Sequence, residues 1–525
     1  MKILFFTLTI CLFLITRISF SQYQNVKVSI PSIISYGEES IMINPKNPNQ
    51  IVIGGNAASS NSISSYYYTT NGGINWSGGY LQSTLAKPSG DPVIVVDTSG
   101  NFYYICLANW QCPAPNLDKL LCFKSTNGGI NWNNGTSFAH LYPKQNDKPW
   151  VCIDWSNSIY RNNMYVTWTL FDVYFSTNSL DSSYIYFCRS TDGGANFSVP
   201  VRISKQAGNC ADNSQTVEGA VPCTGPNGQI YVSWSGHSNI TFDKSTDGGA
   251  NWLNEDIIVT QQVGGWSYNA FPITACDISN GIYNGNIYIC FADQRSGQSD
   301  RDIWLVTSTN GGNSWNNPVR VNNDPPGKNQ YYPWMCIDQV TGYIWVVFCD
   351  QRNYNNTLVD VYLARSTDGG NSFQNTKISS SPFQWGWYIG DYIGISAYNN
   401  KVRPVWSRYE YSYYVSVWTA IVDTFYTIGI NKIENEIPVS YKLYQNCPNP
   451  FNSTTNIRFE IPKSGNAQIT VYDIQGREVS VLAHEYLKSG VYEVRYNAAG
   501  MSSGVYFYKL QAEDYSITRK MILMK

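Results

Sequence analysis

Six residues, Glu38, Asp91, Asp147, Glu218, Tyr332 and Asp391, stand at or beside the start of a recurring pattern. Each opens an apolar run that leads to a Gly or Asn turn and a second apolar run. Five of the six are carboxylic acids. Carboxyl groups gathered on one concave surface can exchange protons with a bound substrate, or hold a cation. Three basic stretches follow second apolar runs: Asp293-Gln294-Arg295, Asp350-Gln351-Arg352 and Ser407-Arg408. A guanidinium grips a carboxylate through two parallel hydrogen bonds. Arg295, Arg352 and Arg408 could therefore clamp an acidic ligand, or simply pair with the acids near them. No Ser-His-Asp order, phosphate loop or zinc spacing is present, and 3 His are too few for a His-based zinc centre. No cofactor is expected; a structural cation among the carboxylates is the one ion the pattern suits.

The elements that must position these residues are strands. Only 14% of the 525 residues are charged, while aromatics reach 15%. That balance, with many Gly, Asn, Ser and Thr, suits β-structure with frequent turns. The net charge of −2 lacks the basic surplus of a nucleic-acid binder, so no nucleic acid is expected as a partner. One motif, Ser/Thr-x-Asp/Asn-Gly-Gly-x-Asn/Ser-Trp/Phe, recurs at Thr69–Trp76, Ser125–Trp132, Ser190–Phe197, Ser245–Trp252, Ser308–Trp315 and Ser366–Phe373. Apolar runs flank every copy, which places it in a hairpin turn. A repeat of this length built from strands predicts a β-propeller. The mouth pattern occurs seven times, one more than the motif. The last unit has Ile393–Ala397, Val402–Trp406 and Tyr414–Ile421 and lacks a fourth strand. Asn25–Ile30 alternates like an outer strand and is expected to fill the vacancy, which removes an open edge. The expected fold is all-β: a seven-bladed propeller, with six blades as the alternative, followed by a small β-sandwich.

In a four-stranded blade the loops before strand A and after strand B open on one face, and the loop between C and D on the other. The six mouth residues and the three arginines are thus expected together on the top face, with Tyr331, Tyr388 and Tyr392 nearby. Of the 13 Cys, Cys112 with Cys122 and Cys210 with Cys223 bracket top-face loops, and each pair is a disulfide candidate in an oxidising compartment.

The six copies resemble the Asp-box, or bacterial neuraminidase repeat, of sialidase-like β-propellers. In that family the box is structural. The resemblance implies a carbohydrate-directed propeller, and as the enzymatic alternative a glycoside hydrolase of the exo-sialidase type acting on extracellular glycans. The chain departs from the family where catalysis would need it to conform. The Arg-Ile-Pro motif of the first blade is missing, and Ser35–Ile43 has no Arg. The three arginines come from successive blades rather than a spread around the axis. A glycan-binding or scaffold role is therefore the first expectation.

Both ends carry address labels. Residues 1–21 read as a secretory signal: Lys2, the apolar run Ile3–Ile15, and Ser19-Phe20-Ser21 for cleavage. No later run is long and apolar enough for a membrane helix, so no span is expected in the mature protein. Residues 22–422 form the expected propeller and 423–440 a linker. Residues 441–525 contain Pro448-Asn449-Pro450-Phe451-Asn452, Gly476-Arg477-Glu478, Gly504-Val505-Tyr506 and a basic end. This segment resembles the C-terminal sorting domain of type IX secretion cargo. It implies that machinery as a partner, passage through the periplasm, and a secreted or cell-surface destination.

Overall fold

The computed structural model describes residues 23–31, 33, 35–57, 63–109, 117–265, 271–384, 390–411, 414–423, 431–434, 438–498 and 501–524. The expected signal, residues 1–21, lies outside them. Every regular element among the described residues is a β-strand. The protein is all-β, and its larger part has the sheet pattern of a propeller.

Up to Ile421 the strands of the described residues pair into six antiparallel sheets: four of four strands, one of five, where Phe383–Gln384 adds to Leu358–Ser366, and one of eight, which holds the first and the last unit of four. The innermost strands are Ser35–Ile43, Val93–Val96, Gln145–Ile153, Glu218–Thr224, Ile273–Cys276, Gln330–Ile337 and Gly394–Tyr398. Each neighbours the next, and the last returns to the first. The units are numbered one to seven in that order. In unit seven, Gly394–Tyr398, Lys401–Tyr411 and Tyr414–Ile421 take their fourth partner from the other end of the chain. Gln24–Lys27 runs antiparallel to Trp418–Ile421. The structure thus pairs the start of the chain with the strand expected from the alternation.

The repeated Gly-Gly motif forms one geometry six times. Its first hydroxyl donates to the side chain of the Asp or Asn two residues on, and accepts from the N–H of the second Gly. The same Asp or Asn accepts the N–H four residues further on. In Ser245–Trp252 these bonds are 2.8, 2.9 and 2.9 Å, and Ser190–Phe197 repeats them. The motif also locks neighbouring units. Trp252 of unit four packs edge-on against Phe187 of unit three, centroids 4.9 Å apart, and Trp315 of unit five does the same to Phe242 of unit four. Gly249 shows why glycine is required. Its φ is +85°, and an added Cβ would lie 2.4 Å from the Phe187 ring.

The C-terminal part pairs into two four-stranded sheets. One holds Lys442–Leu443, Thr454–Ile461, Gly490–Asn497 and Asn431–Glu434. The other holds Glu478–Leu487, Gly465–Tyr472, Gly504–Ala512 and Tyr515–Leu523. Ile457, Phe459, Ile469, Val471, Val494, Tyr508 and Leu510 form its core. The expected linker, residues 423–440, needs a correction. Asn431–Glu434 is a strand of this sheet, paired with Gly490–Asn497. Its lack of alternation is natural in an edge strand that adds through backbone bonds.

The disulfide expectation also fails where it is visible. Cys210, Cys223 and Cys122 are free thiols, and Cys112 lies outside the described residues. Cys223 sits within strand Glu218–Thr224, opposite Tyr231, in the cluster that holds Cys276. Cys210 lies in the preceding loop, against the backbone of Asp172 and Val173. The two thiols have different neighbours, and burial pushes both upward, as expected for thiols used as small apolar groups.

Candidate functional site

Four of the seven innermost strands begin with an irregularity, and this aims their mouth residues. Ladder register slips between Gly37 and Ser40, Asp147 and Trp150, Glu218 and Val221, and Tyr331 and Trp334. Within these bulges Glu38, Lys148 and Tyr332 have φ of 60, 45 and 51°, and Asp91, ahead of the regular strand Val93–Val96, has φ of 49°. Left-handed backbone at non-glycine residues costs about 1–3 kcal/mol each and concentrates at functional sites. Four copies of the same outlier make this a built feature. It turns each side chain across the mouth instead of into a blade.

The residues that meet there come from five units. Lys148 Nζ lies 2.6 Å from Asp391 Oδ2, 3.9 Å from Glu218 Oε1 and 4.0 Å from Asp147 Oδ2. The Lys148 N–H donates to Asp91 Oδ2 at 3.2 Å. Asp91 shares a hydrogen bond with the Glu38 carboxyl, and Asn56 holds both, donating to Glu38 and accepting the Asp91 N–H. The structure therefore brings Glu38, Asp91, Asp147, Glu218 and Asp391 together, as the sequence pattern implies. It also places an ammonium where a structural cation was expected. Among the described residues no group of three or more His, Cys, Asp or Glu is arranged to hold a metal ion.

Tyr332 lines a narrow recess under this cluster with Lys148, Asp391, Phe271, Trp150, Trp334 and Tyr392; its free volume is about 20 Å³, room for about one water. Trp150 of unit three meets Trp334 of unit six at 4.3 Å and Tyr392 of unit seven at 5.0 Å, so aromatic rings plug the axis below the acids.

The arginines are elsewhere. Arg295 binds Asp293 through two nitrogens, at 2.6 and 2.9 Å, and reaches the Gln261 carbonyl of unit four at 3.0 Å. Arg352 binds Asp350 at 2.7 Å and Asn323, beyond the outer strand of unit five, at 2.8 Å. Arg408 donates to Ser381, beyond the outer strand of unit six, at 3.0 Å. Each staples its unit to the preceding one, and none contacts a mouth carboxyl. The expectation that they line the site is corrected: an Asp two residues before Arg295 and Arg352 satisfies the guanidinium locally. Lys148, Asp212, Tyr174, Trp150 and Trp334 escaped the sequence reading of the site, which named Tyr392 as nearby. For Lys148 a signal existed, since it occupies the repeat position of Asp91 and Tyr332.

Burial decides the charges. It raises Asp147 to about 8 against the pull of Lys148, and raises Asp91, with Glu38 adding to it, and Glu218 well above the carboxylate range. Burial pulls Lys148 down, but Asp391, Asp147 and Glu218 more than reverse that, so it stays charged. Burial also raises Glu39, behind the mouth and hydrogen-bonded by Ser407, to about 8. The sign of the pH effect follows. Between the ordinary carboxylate value and about 8 the native state binds more protons than the unfolded chain, so stability falls as pH rises. Urea midpoints should decline between about pH 5 and 8. The double substitution Asp147→Asn, Glu39→Gln should flatten that decline; a slope unchanged by it would show that these acids are not its source.

Residues 445–524 match the family model of the secretion system C-terminal sorting domain. That decides the route. The protein is exported by type IX secretion to the cell surface or beyond it. The sorting domain is the sandwich described above, apart from its first strands. No curated protein matches the chain in sequence. Among solved structures, an ulvan lyase, a polysaccharide lyase, is similar at 11% identity and a TM-score of 0.47, over 76% of this chain and 96% of that one. The intramolecular trans-sialidase of Ruminococcus gnavus gives 13% and 0.38, over 78% and 97%. The sialidase of Trypanosoma rangeli gives 10% and 0.40, over 85% of each. The strand pairing, rather than these likenesses, establishes the propeller. No helix among the described residues is long and apolar enough to cross a membrane.

Proposed function

We propose that residues 22–422 are a seven-bladed glycan-binding propeller, led to the periplasm by the signal at residues 1–21 and displayed or released by type IX export. The observation that carries this reading is the mouth itself: Asp91, Asp147 and Glu218, which burial keeps protonated, stand beside an aromatic floor of Trp150, Trp334, Tyr332 and Tyr392. A protonated carboxyl donates as well as accepts, which suits sugar hydroxyls. Asp147, raised to about 8, also favours a second reading, glycoside hydrolysis, because a general acid must hold its proton near the working pH.

A sialidase fits least well. Its substrate brings a carboxylate, and Arg295, Arg352 and Arg408 are occupied between units. A glycan array with the secreted protein, beside a panel of fluorogenic glycosides, tests both readings. Binding of neutral glycans that Trp334→Ala weakens is expected, with no sialic acid released from a sialoside. Turnover of the sialoside, lost in Arg352→Ala with the fold intact, would overturn the assignment. An array without a hit and a panel without turnover would remove the glycan reading altogether.

A further inference from the structure

Lys148 and Asp391 meet in a setting where two side chains can become joined by a bond. Nζ of Lys148, on the innermost strand of unit three, lies 2.6 Å from Oδ2 of Asp391, which precedes the innermost strand of unit seven. The Lys148 side chain is 8% exposed, and its ammonium stands over the Phe271 ring, 5.7 Å from the centroid. The recess beside the pair is otherwise walled by aromatic and apolar residues; Lys148 and Asp391 are the two charged residues in its lining. Its free volume of about 20 Å³ is room for about one water. Glu218, whose side chain is 0% exposed, lies 3.9 Å from the same Nζ, and burial keeps its proton on. An amino group, a carboxyl, a protonated acid and space for one departing water are the parts of an amide condensation.

We propose that Lys148 and Asp391 condense into an isopeptide bond that locks unit three to unit seven across the ring. The balance closes without an added reagent. Lys148 carries its charge in the resting pair, so a proton must move before the bond can form. The ammonium passes one proton to the Asp391 carboxylate along the 2.6 Å contact, which leaves an amine beside a carboxylic acid. Dry surroundings ease that transfer, because they penalise the two charges. The amine lone pair then attacks Asp391 Cγ, and the N–C bond forms. Glu218 takes a proton from that nitrogen and gives its own to the departing hydroxyl. The C–O bond breaks and the hydroxyl leaves as water. One ammonium and one carboxylate become one amide and one water, with no net charge on either side. At 3.9 Å Glu218 is short of hydrogen-bond reach at rest, and contacts of this kind tighten as the reaction begins. Fixed geometry drives the step: well-oriented intramolecular reactions reach effective concentrations of about 10⁵–10⁸ M. Exclusion of water then protects the amide from hydrolysis. The bond spans 243 positions of the chain, so it closes most of the ring covalently in a protein that must last outside the cell.

The test is peptide mapping of the full-length secreted protein, denatured, reduced and cut with trypsin. Lys148 precedes a proline and falls within Gln145–Arg161, and Asp391 falls within Ile378–Lys401. One branched peptide joining these two is expected, lighter than their sum by one water, about 18 Da. Fragmentation should place the junction at Lys148 and Asp391. Lys148→Arg keeps the positive charge but offers no amine, so both peptides should then be free. The boiled variant should also migrate more slowly in SDS than the looped wild-type chain. Glu218→Gln should leave most of the pair unlinked while the melting transition stays cooperative. Recovery of both peptides only in free form from the folded wild-type protein overturns the proposal. A junction between Gln145–Arg161 and the peptide that holds Glu218 overturns the choice of Asp391, and full linkage in Glu218→Gln overturns the part given to that acid. The readout is a mass, so the outcome stands or falls independently of glycan binding.

Discussion

A protein that lacks Asn25–Ile30 should melt about 6 °C below the full chain. The segment fills the outer edge of unit seven, where Gln24–Lys27 pairs with Trp418–Ile421 and the Val28 N–H donates to the Val417 carbonyl at 2.8 Å. It also reaches the preceding unit. The Asn25 side chain donates to the Ile378 carbonyl at 2.8 Å and accepts the Ser380 N–H at 2.8 Å. Val28 is fully buried, in a cluster with Ile33, Ile41 and Val417 of the first and last units. Burying one such side chain is worth about 1.5–3 kcal/mol, and several hydrogen bonds contribute about 1 kcal/mol each. Together the loss is about 5 kcal/mol, which for a domain this large corresponds to about 6 °C. The bare edge of Tyr414–Ile421 would in addition invite pairing with other chains. Calorimetric melting of the two proteins decides it, and an unchanged transition would mean that the ring closes without this strand. Asn25→Ala is the finer probe: it keeps the ladder and removes only the bridge to unit six, so its drop should be a fraction of the first.

Closure was legible because it follows from a count and an alternation, both written in the chain. The mouth was legible for the same reason. A residue that opens a strand in one repeat opens it in the next, so Glu38, Asp91, Glu218 and Asp391 could be brought to one rim without coordinates. What escaped is everything set by the bulges. A one-residue slip exchanges the residues that face the axis for those that face a blade. Residue type does not separate Asp147 from Lys148; only the repeat position shared with Asp91 and Tyr332 points to Lys148 for the left-handed place. The aromatic plug escaped because Trp150 and Trp334 belong to opposite sides of the ring, 184 positions apart in sequence, and only the curvature of the whole ring makes them meet. The arginines misled in the opposite sense. Their spacing after an Asp is equally good for a ligand clamp and for a local pair, and the local pair costs less ordering. Cys210 and Cys223 misled because nearness along the chain says nothing about the faces on which two thiols lie.

Removing Thr424–Lys525 should abolish appearance in the medium and on the cell surface while leaving a folded propeller in the periplasm of a host with type IX secretion. The cut is placed by the structure. Ending after Ser440 would leave Asn431–Glu434 without Gly490–Asn497, its partner in the sandwich sheet. Ending after Asp423 keeps the carboxylate that binds Arg403 at 2.8 Å. That arginine is 1% exposed and donates to the Gly72 carbonyl of the first unit at 2.8 Å, so it belongs to the seam of the ring. No strand of the propeller pairs with the sandwich among the described residues, and the propeller has its own clusters of buried residues. It should therefore fold without the sorting domain, and its melting should match that of the corresponding transition in the full chain. The sorting domain in turn has its own core, and its last strand, Tyr515–Leu523, is held by Gly504–Ala512 over the whole of its length. Fractionation with an antibody to the propeller gives the answer. The truncated protein should be recovered almost entirely from periplasm, and fusing Thr424–Lys525 to an unrelated periplasmic protein should carry that protein out. Truncated propeller outside the cell in normal amount would show that the exported signal lies within the blades.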